Sequence, residues 1–300
     1  MKVIISGATG FVGKKLVKYM VETGDQVVVI VRDKKKLEHS IINKVSIIEA
    51  ELADYSKLNI KEDDYDVFFH LAWNGTSGPE RGNYHAQLDN IRYSCEAVAL
   101  SKRIGCKRFV YAGSVMEYEC LSDFLQGSVP PINNCYSVSK YTADFMAQAV
   151  ANNIGIEYVG IVISNIYGEG EESKRFINTT IKKMIKDESI ELSSCEQLYD
   201  FIYISDAVRA IYLAASKGVN NQRYYIGSIE QTPLKQFVIQ MKEVCNSSSE
   251  LLFGKIKSSS KGLDYSIIDS KKIYELGFKS EISFTEGIKR IWEWYSGKGF

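Results

Sequence analysis

Val3-Ile4-Ile5-Ser6-Gly7-Ala8-Thr9-Gly10-Phe11-Val12-Gly13 is an apolar run, a glycine-rich turn and the start of a helical pattern in eleven consecutive residues. Gly7 permits a tight turn at the strand end, Gly10 removes a side chain that would block a pyrophosphate, and Gly13 lets the helix pack on the strand. An anion placed there meets free N–H groups at the positive end of a helix. The spacing predicts a dinucleotide site and a Rossmann-type α/β fold.

Outward from this turn, short apolar runs alternate with helical patterns: Val27 to Val31, Val45 to Ile48, Val67 to Leu71, Phe109 to Ala112 and Tyr158 to Ile163. Such alternation predicts a doubly wound parallel sheet with both faces covered. Beyond residue 165 the rhythm changes to helical patterns near Arg175 to Lys186, Asp206 to Ser216, Pro233 to Cys245, Asp269 to Leu276 and Thr285 to Trp294. The division expected is a cofactor domain of residues 1–164 plus 196–219, and a smaller α/β substrate lobe of 165–195 plus 220–300.

Composition narrows the chemistry. Three hundred residues with 45% hydrophobic content can bury a full core. Lys plus Arg and Asp plus Glu number 37 each, so nothing in the overall balance calls for nucleic acid or an anionic membrane. Six cysteines without a Cys-x-x-Cys pair and three histidines indicate neither a disulfide framework nor a metal cluster. No apolar run approaches the roughly 18 residues of a membrane span, and the expected compartment is the cytoplasm. Ser258 to Gly262 reads as a mobile loop.

The second strand ends Val31-Arg32-Asp33, followed by Lys34, Lys35 and Lys36. NAD-binding Rossmann folds place a carboxylate at this strand end for the ribose hydroxyls. Here Val31 stands in its place, and the Arg32 fork suits a phosphate, favouring NADP(H) over NAD(H). The alternative is NAD with Asp33 serving the ribose. Glu51 and Leu52 would flank the adenine.

Tyr136-Ser137-Val138-Ser139-Lys140 puts a phenol and an ammonium on one helix face, ~6 Å apart. A nearby cation lowers a phenol pKa, so that the side chain can exchange a proton with a carbonyl or alcohol oxygen near neutrality. Ser114, just past the fifth strand, is the hydroxyl expected to hold the substrate oxygen in line.

With these residues the chain resembles the extended short-chain dehydrogenase/reductases, the nucleotide-sugar epimerases, dehydratases and ketoreductases. The resemblance extends to His70-Leu71-Ala72, Asn90, Ser164-Asn165-Ile166-Tyr167-Gly168, Asp200 to Asp206, Tyr225 to Ser228, and Asp269 through Phe278. It implies a triad of Ser114, Tyr136 and Lys140, with Ala72 lining the cofactor channel and Asn165 touching the sugar nucleotide. Thr9, Phe11, Val12, Leu71 and Ile163 complete the residues expected along the dinucleotide, and Asn90 is expected to support the lysine or cap a buried group. It further implies a homodimer built from the helix after the fourth strand and the helix carrying Tyr136.

Two departures sharpen the expectation. Related sugar 4,6-dehydratases carry Asp-Glu straight after the catalytic hydroxyl, where this chain has Val115-Met116, with Glu117 one residue out of register. Hydride transfer with one proton remains: reduction of a nucleoside-diphosphate 4-keto-6-deoxy sugar for surface polysaccharide. The alternatives are an NAD-dependent 4-epimerase and a non-catalytic cofactor-sensing protein. The family's two pyrophosphate-binding arginines are replaced by Tyr199 and Asp264, which leaves Arg175, Lys174, Lys257 or Lys261 to substitute. Trp73, in the insert Trp73 to Arg81, is expected to stack on the sugar or the nicotinamide.

Overall fold

The computed structural model describes all residues except Glu62, Gln126, Glu230, 258–261 and 298–300. Lys261 and most of the Ser258 to Gly262 loop therefore lie outside the described residues.

The cofactor half opens with β1 (Lys2–Ser6), α1 (Phe11–Glu22), β2 (Gln26–Val31), α2 (His39–Ile42), β3 (Ser46–Glu49), β4 (Val67–His70) and α3 (Tyr84–Arg103). It continues through β5 (Arg108–Ser114), α4 (Met116–Leu125), α5 (Asn134–Ile154) and β6 (Glu157–Ile163). Next come β7 (Asn165–Tyr167), α6 (Phe176–Ile185), β8 (Ile190–Glu191), β9 (Leu198–Tyr199), β10 (Phe201–Tyr203), α7 (Ile204–Lys217) and β11 (Gln222–Ile226). The chain ends with β12 (Thr232–Pro233), α8 (Leu234–Cys245), β13 (Leu251–Leu252), α9 (Lys272–Glu275) and α10 (Phe284–Ser296).

Seven parallel strands form one sheet in the order β11-β6-β5-β4-β1-β2-β3. The strand centres are apolar on both faces because helices cover both: Val3, Ile5, Val29 and Phe69 join one core with α1 and α7, while Ile4, Phe68, Phe109 and Tyr111 join the other with α3 and α5. One expected boundary is corrected. Residues 222–226, assigned from the sequence to the second lobe, pair with β6 as the outermost strand of the sheet. The helical pattern at Asp269 to Leu276 also shrinks to the single turn of α9, since the Asp269 carboxylate accepts the Lys271 N–H outside it.

Outside the seven-stranded sheet the described residues form three two-stranded pairings, β10 with β7, β12 with β9 and β13 with β8. Rings of Tyr167, Phe201, Phe237 and Phe284 pack between them and α8 and α10, Phe237 and Phe284 at 4.6 Å. Asp206, fully buried on α7, fastens the lobe: its carboxylate accepts from Arg209 at 2.6 Å, from the Ser280 hydroxyl at 2.8 Å and from the backbone of Glu281 and Ile282 at 2.9 Å.

Candidate active site

The β1–α1 turn shows which glycines the fold needs. Gly7 has φ +78°, and a Cβ there would lie 2.7 Å from the backbone of Leu71 and Ala72. A Cβ on Gly13 would fall 2.1 Å from the Gly7 carbonyl oxygen. Gly10 differs: its φ is −77°, its Cβ would meet only that oxygen at 3.4 Å, and it faces solvent. The backbone leaves open space at Gly10, and this cradle fits a pyrophosphate laid on the first turn of α1, where no side-chain cap competes. Thr9, Phe11 and Val12 surround it, half-buried.

Leu71 and Ala72 run beside Gly7, and Ile163 ends β6 half-buried. The support behind them is a buried polar chain. Ser6 Oγ lies 3.0 Å from His70 Nδ1, and Ser94 Oγ lies 3.4 Å from His70 Nε2. Burial pushes the His70 pKa down to about 3 and keeps the ring neutral. Arg32 projects at the end of β2, 3.5 Å from the Asn74 side-chain oxygen. Asp33 is engaged locally, accepting the Lys35 N–H at 2.9 Å as the cap of the 34–36 turn. Glu51 shares a reciprocal cap with Asp54. Leu52 is buried with Tyr55 in the core, which leaves little of its side chain to flank an adenine.

Ser114 ends β5, and α5 carries Tyr136 and Lys140. The Ser114 hydroxyl draws the Tyr136 pKa down, and Ser114 Oγ accepts the Met116 N–H at 3.3 Å. Lys140 is one turn further along α5, but its ammonium donates to the Ala112 carbonyl at 2.8 Å and lies 3.8 Å from the centroid of the Trp73 ring. Burial raises the phenol pKa, and the cations drawing it back down are Arg81 and Arg175. Lys140 is itself pushed down by burial, with Glu117 and Asp144 opposing.

Glu117 turns inward. Its carboxylate accepts the Ser114 N–H at 2.7 Å, in space that exists because Gly113 has no side chain; a Cβ there would be 2.6 Å from Oε1. Burial raises its pKa. Beyond it Asp144 accepts from Arg223 at 2.6 Å and from the Tyr158 hydroxyl. Val115 is packed against Val162, Tyr225 and Ile268.

Trp73 is held by contacts within the protein. Its indole N–H donates to Gln87 at 2.9 Å, and its ring stands edge-on to Tyr136 at 6.1 Å. Asn90 supports this insert and not the lysine: it bonds the Asn74 carbonyl at 2.8 Å and the Asn74 N–H at 3.0 Å. Asn165 donates to the Asp200 carbonyl at 3.0 Å, tying β7 to β10. Arg175 precedes α6, half exposed and 3.8 Å from Glu171. Tyr199 stacks on Phe201 at 5.6 Å, and Asp264 caps the 265–267 turn. Lys174 and Lys257 are exposed. Sequence reasoning passed over Arg81, whose guanidinium lies 4.7 Å from the centroid of the Tyr136 ring; its one signal was membership of the insert at the sheet's carboxyl edge. Among the described residues no His, Cys, Asp and Glu group could hold a metal, and no helix is long and apolar enough to cross a membrane.

The chain is similar to known proteins. Residues 3–227 match the NAD dependent epimerase/dehydratase family. The CDP-abequose synthase of Salmonella typhimurium is 26% identical over 96% of both chains, and the dTDP-4-dehydro-6-deoxyglucose reductase of Escherichia coli is likewise 26% identical over 96% of both. The crystal structure of UDP-glucose 4-epimerase with UDP-glucose from Thermotoga maritima shares the fold, with a TM-score of 0.78, 21% identity and 99% coverage of each chain. The chain belongs to the NAD dependent epimerase/dehydratase family and is an NAD(P)-dependent enzyme of the extended short-chain dehydrogenase/reductase type.

Proposed function

We propose that the protein is an NADP(H)-dependent reductase of a nucleoside-diphosphate keto-deoxysugar, of the 4-ketoreductase type, making a sugar unit for surface polysaccharide. One observation supports the reading: among the described residues the site offers the hydroxyls of Ser114 and Tyr136 and no second acid–base pair beside them. Val115 is buried, Met116 cannot transfer a proton, and the Glu117 carboxylate is bound to the Ser114 N–H. Elimination of water needs two further proton-transfer groups, whereas reduction of a carbonyl needs one donor.

When bound, the dinucleotide supplies a hydride to the keto carbon. Ser114 orients the carbonyl oxygen and Tyr136 gives it a proton, while the Gly10 cradle and the first turn of α1 hold the pyrophosphate. Arg32, with Asp33 already engaged as a cap, favours a 2′-phosphate over bare ribose hydroxyls. Residues 1–164 and 196–226 form the cofactor half in this reading, and the remainder covers the sugar nucleotide. The relative named as a dTDP-4-dehydro-6-deoxyglucose reductase supports the choice of substrate class.

The test follows NADPH deuterated at C4 against a panel of nucleoside-diphosphate 4-keto-6-deoxy sugars. Deuterium in the sugar product, with stoichiometric loss of NADPH, is the expected outcome. An inverted sugar with no net oxidation would replace reduction by epimerisation, and cofactor binding without turnover on any substrate would leave a sensing role. Tyr136→Phe is expected to keep cofactor affinity and lose turnover by about a hundredfold or more.

A further inference from the structure

Ser114 stands where β5 overhangs its neighbour. β4 stops at His70, opposite Tyr111, while β5 runs on to Ser114. Backbone groups that overhang in this way need other partners once they are covered. Ser114 finds one in a side chain: Glu117, 3% exposed on the first turn of α4, accepts its N–H at 2.7 Å. The inward turn of that side chain depends on Gly113, where a Cβ would lie 2.6 Å from Glu117 Oε1 and 3.1 Å from the Ile161 carbonyl oxygen. The following residues are fastened as well, the Val115 N–H to the Ile163 carbonyl at 2.9 Å and the Tyr118 N–H to the Val115 carbonyl at 3.1 Å.

We propose that Glu117 is a positioning residue for Ser114: its carboxyl group pins the backbone at the end of β5, and through it the hydroxyl that orients the substrate carbonyl. The proposal rests on the reading of Ser114 as that hydroxyl. Two bonds set its direction. Glu117 holds the Ser114 N–H, and the Met116 N–H donates to Ser114 Oγ at 3.3 Å. A hydroxyl has one donor and two lone pairs, so the O–H proton and one lone pair are left for the site. Without the Glu117 oxygen the Ser114 peptide is free to rotate, and a displacement of about 1 Å in a group that aligns the reacting atoms costs rate more than binding.

Charged groups surround Glu117 from behind. Asp144 on α5 pairs with Arg223 on β11 at 2.6 Å and also takes the Tyr158 hydroxyl. Burial and the Asp144 charge raise the Glu117 pKa, while the Ser114 N–H, Lys140 and Arg223 lower it. A carboxyl oxygen accepts an N–H whether the group is ionised or protonated, so the bond to Ser114 persists in either form. What the site takes from residue 117 is an acceptor oxygen at this reach, and neither a charge nor a transferable proton.

The test compares Glu117→Met, which keeps the length and removes the acceptor, with Glu117→Gln, which keeps an oxygen at the same reach. The assay uses NADPH and the nucleoside-diphosphate 4-keto-6-deoxy sugar that takes up deuterium. Glu117→Met is expected to lower kcat about tenfold to a hundredfold, with KM and the dinucleotide Kd within about twofold of the parent. Exchange of the Ser114 amide should speed up about tenfold while that of Val110 holds. Glu117→Gln should keep kcat within about threefold. In a Ser114→Ala background Glu117→Met should cause no further loss of kcat, because its effect passes through the hydroxyl already removed, whereas a packing role would add in full. If Glu117→Met does not fold, Glu117→Asp, whose carboxylate stops one carbon short of the N–H, is expected to show the same loss and the same lack of additivity. An unchanged kcat in the variant that lacks the bond, full additivity with Ser114→Ala, or a Glu117→Gln enzyme as impaired as Glu117→Met overturns the proposal. Failure of the underlying reading shows separately, as full turnover by Ser114→Ala.

Discussion

Gly10 and Gly13 sit three residues apart in one turn, yet substitution should affect different properties. Gly13→Ala drives a methyl into the Gly7 carbonyl, so it should cost about 2 kcal/mol or more of stability, read as a lower urea midpoint. Gly10→Ala has an allowed backbone and open space. Its stability should stay within about 0.5 kcal/mol of the parent, while dinucleotide affinity by titration calorimetry falls about tenfold or more. His70 supplies a second residue-scale expectation, from linkage. Its native pKa is held near 3 by burial, below the unfolded value. Between pH 6.5 and 3 the unfolded chain binds a proton that the native ring refuses, and stability falls as pH falls, by up to about 1.4 kcal/mol per pH unit. Asp200 works the other way: burial raises it to about 7, so its contribution is lost as pH rises from the ordinary carboxylate range towards 7. The two oppose each other, and the difference between parent and His70→Gln isolates the histidine. That difference should narrow steadily from pH 7 to pH 4; a flat one would mean the ring is protonated in the native state.

The elements that read clearly in the sequence are those whose signal is local. The β1–α1 turn carries its glycines in one stretch, and β1, β2 and β4 to β6 are short apolar runs bounded by turns. What was illegible depends on residues brought from far away. β11 follows the excursion through the second lobe, and only its pairing with β6 returns it to the sheet. Glu117 shows as a carboxylate out of register, but its inward turn requires the space left by Gly113 and the N–H of Ser114. Arg81 meets Tyr136 across two elements far apart in sequence, and no local spacing encodes that contact. Asp206 is similar: its place in α7 follows from the helical pattern, while its partners at Ser280, Glu281 and Ile282 do not. Asp206→Ala should leave these donors and Arg209 without their acceptor and cost about 3 kcal/mol. Hydrogen exchange offers the sharper readout, since the amides of Glu281 and Ile282 should lose protection before the sheet does.

At the scale of the whole molecule, α3 and α5 cover one face of the sheet but leave an apolar strip facing outward. Leu88, Ile91, Cys95 and Ala99 of α3 line a groove with Thr142 and Met146 of α5, and Tyr141 and Phe145 stand exposed beside it. Such a strip is long for a monomer surface, with two helices of 20 and 21 residues side by side. Its occupant, on our reading, is a second copy of this chain. A two-fold axis between the helix pairs would set each groove against the other's apolar residues in a four-helix arrangement. Arg92 on the rim, between Asp89 and Glu96, supplies both signs of charge for a self-complementary edge. Met146→Asp would bury an unpaired carboxylate in that interface while remaining solvated in a monomer, so it should dissociate the dimer without lowering the monomer's stability. Size-exclusion chromatography with light scattering should give twice the chain mass for the parent and one chain mass for Met146→Asp. A parent of one-chain mass at tens of micromolar would remove the dimer, and with it the reason for so apolar a strip.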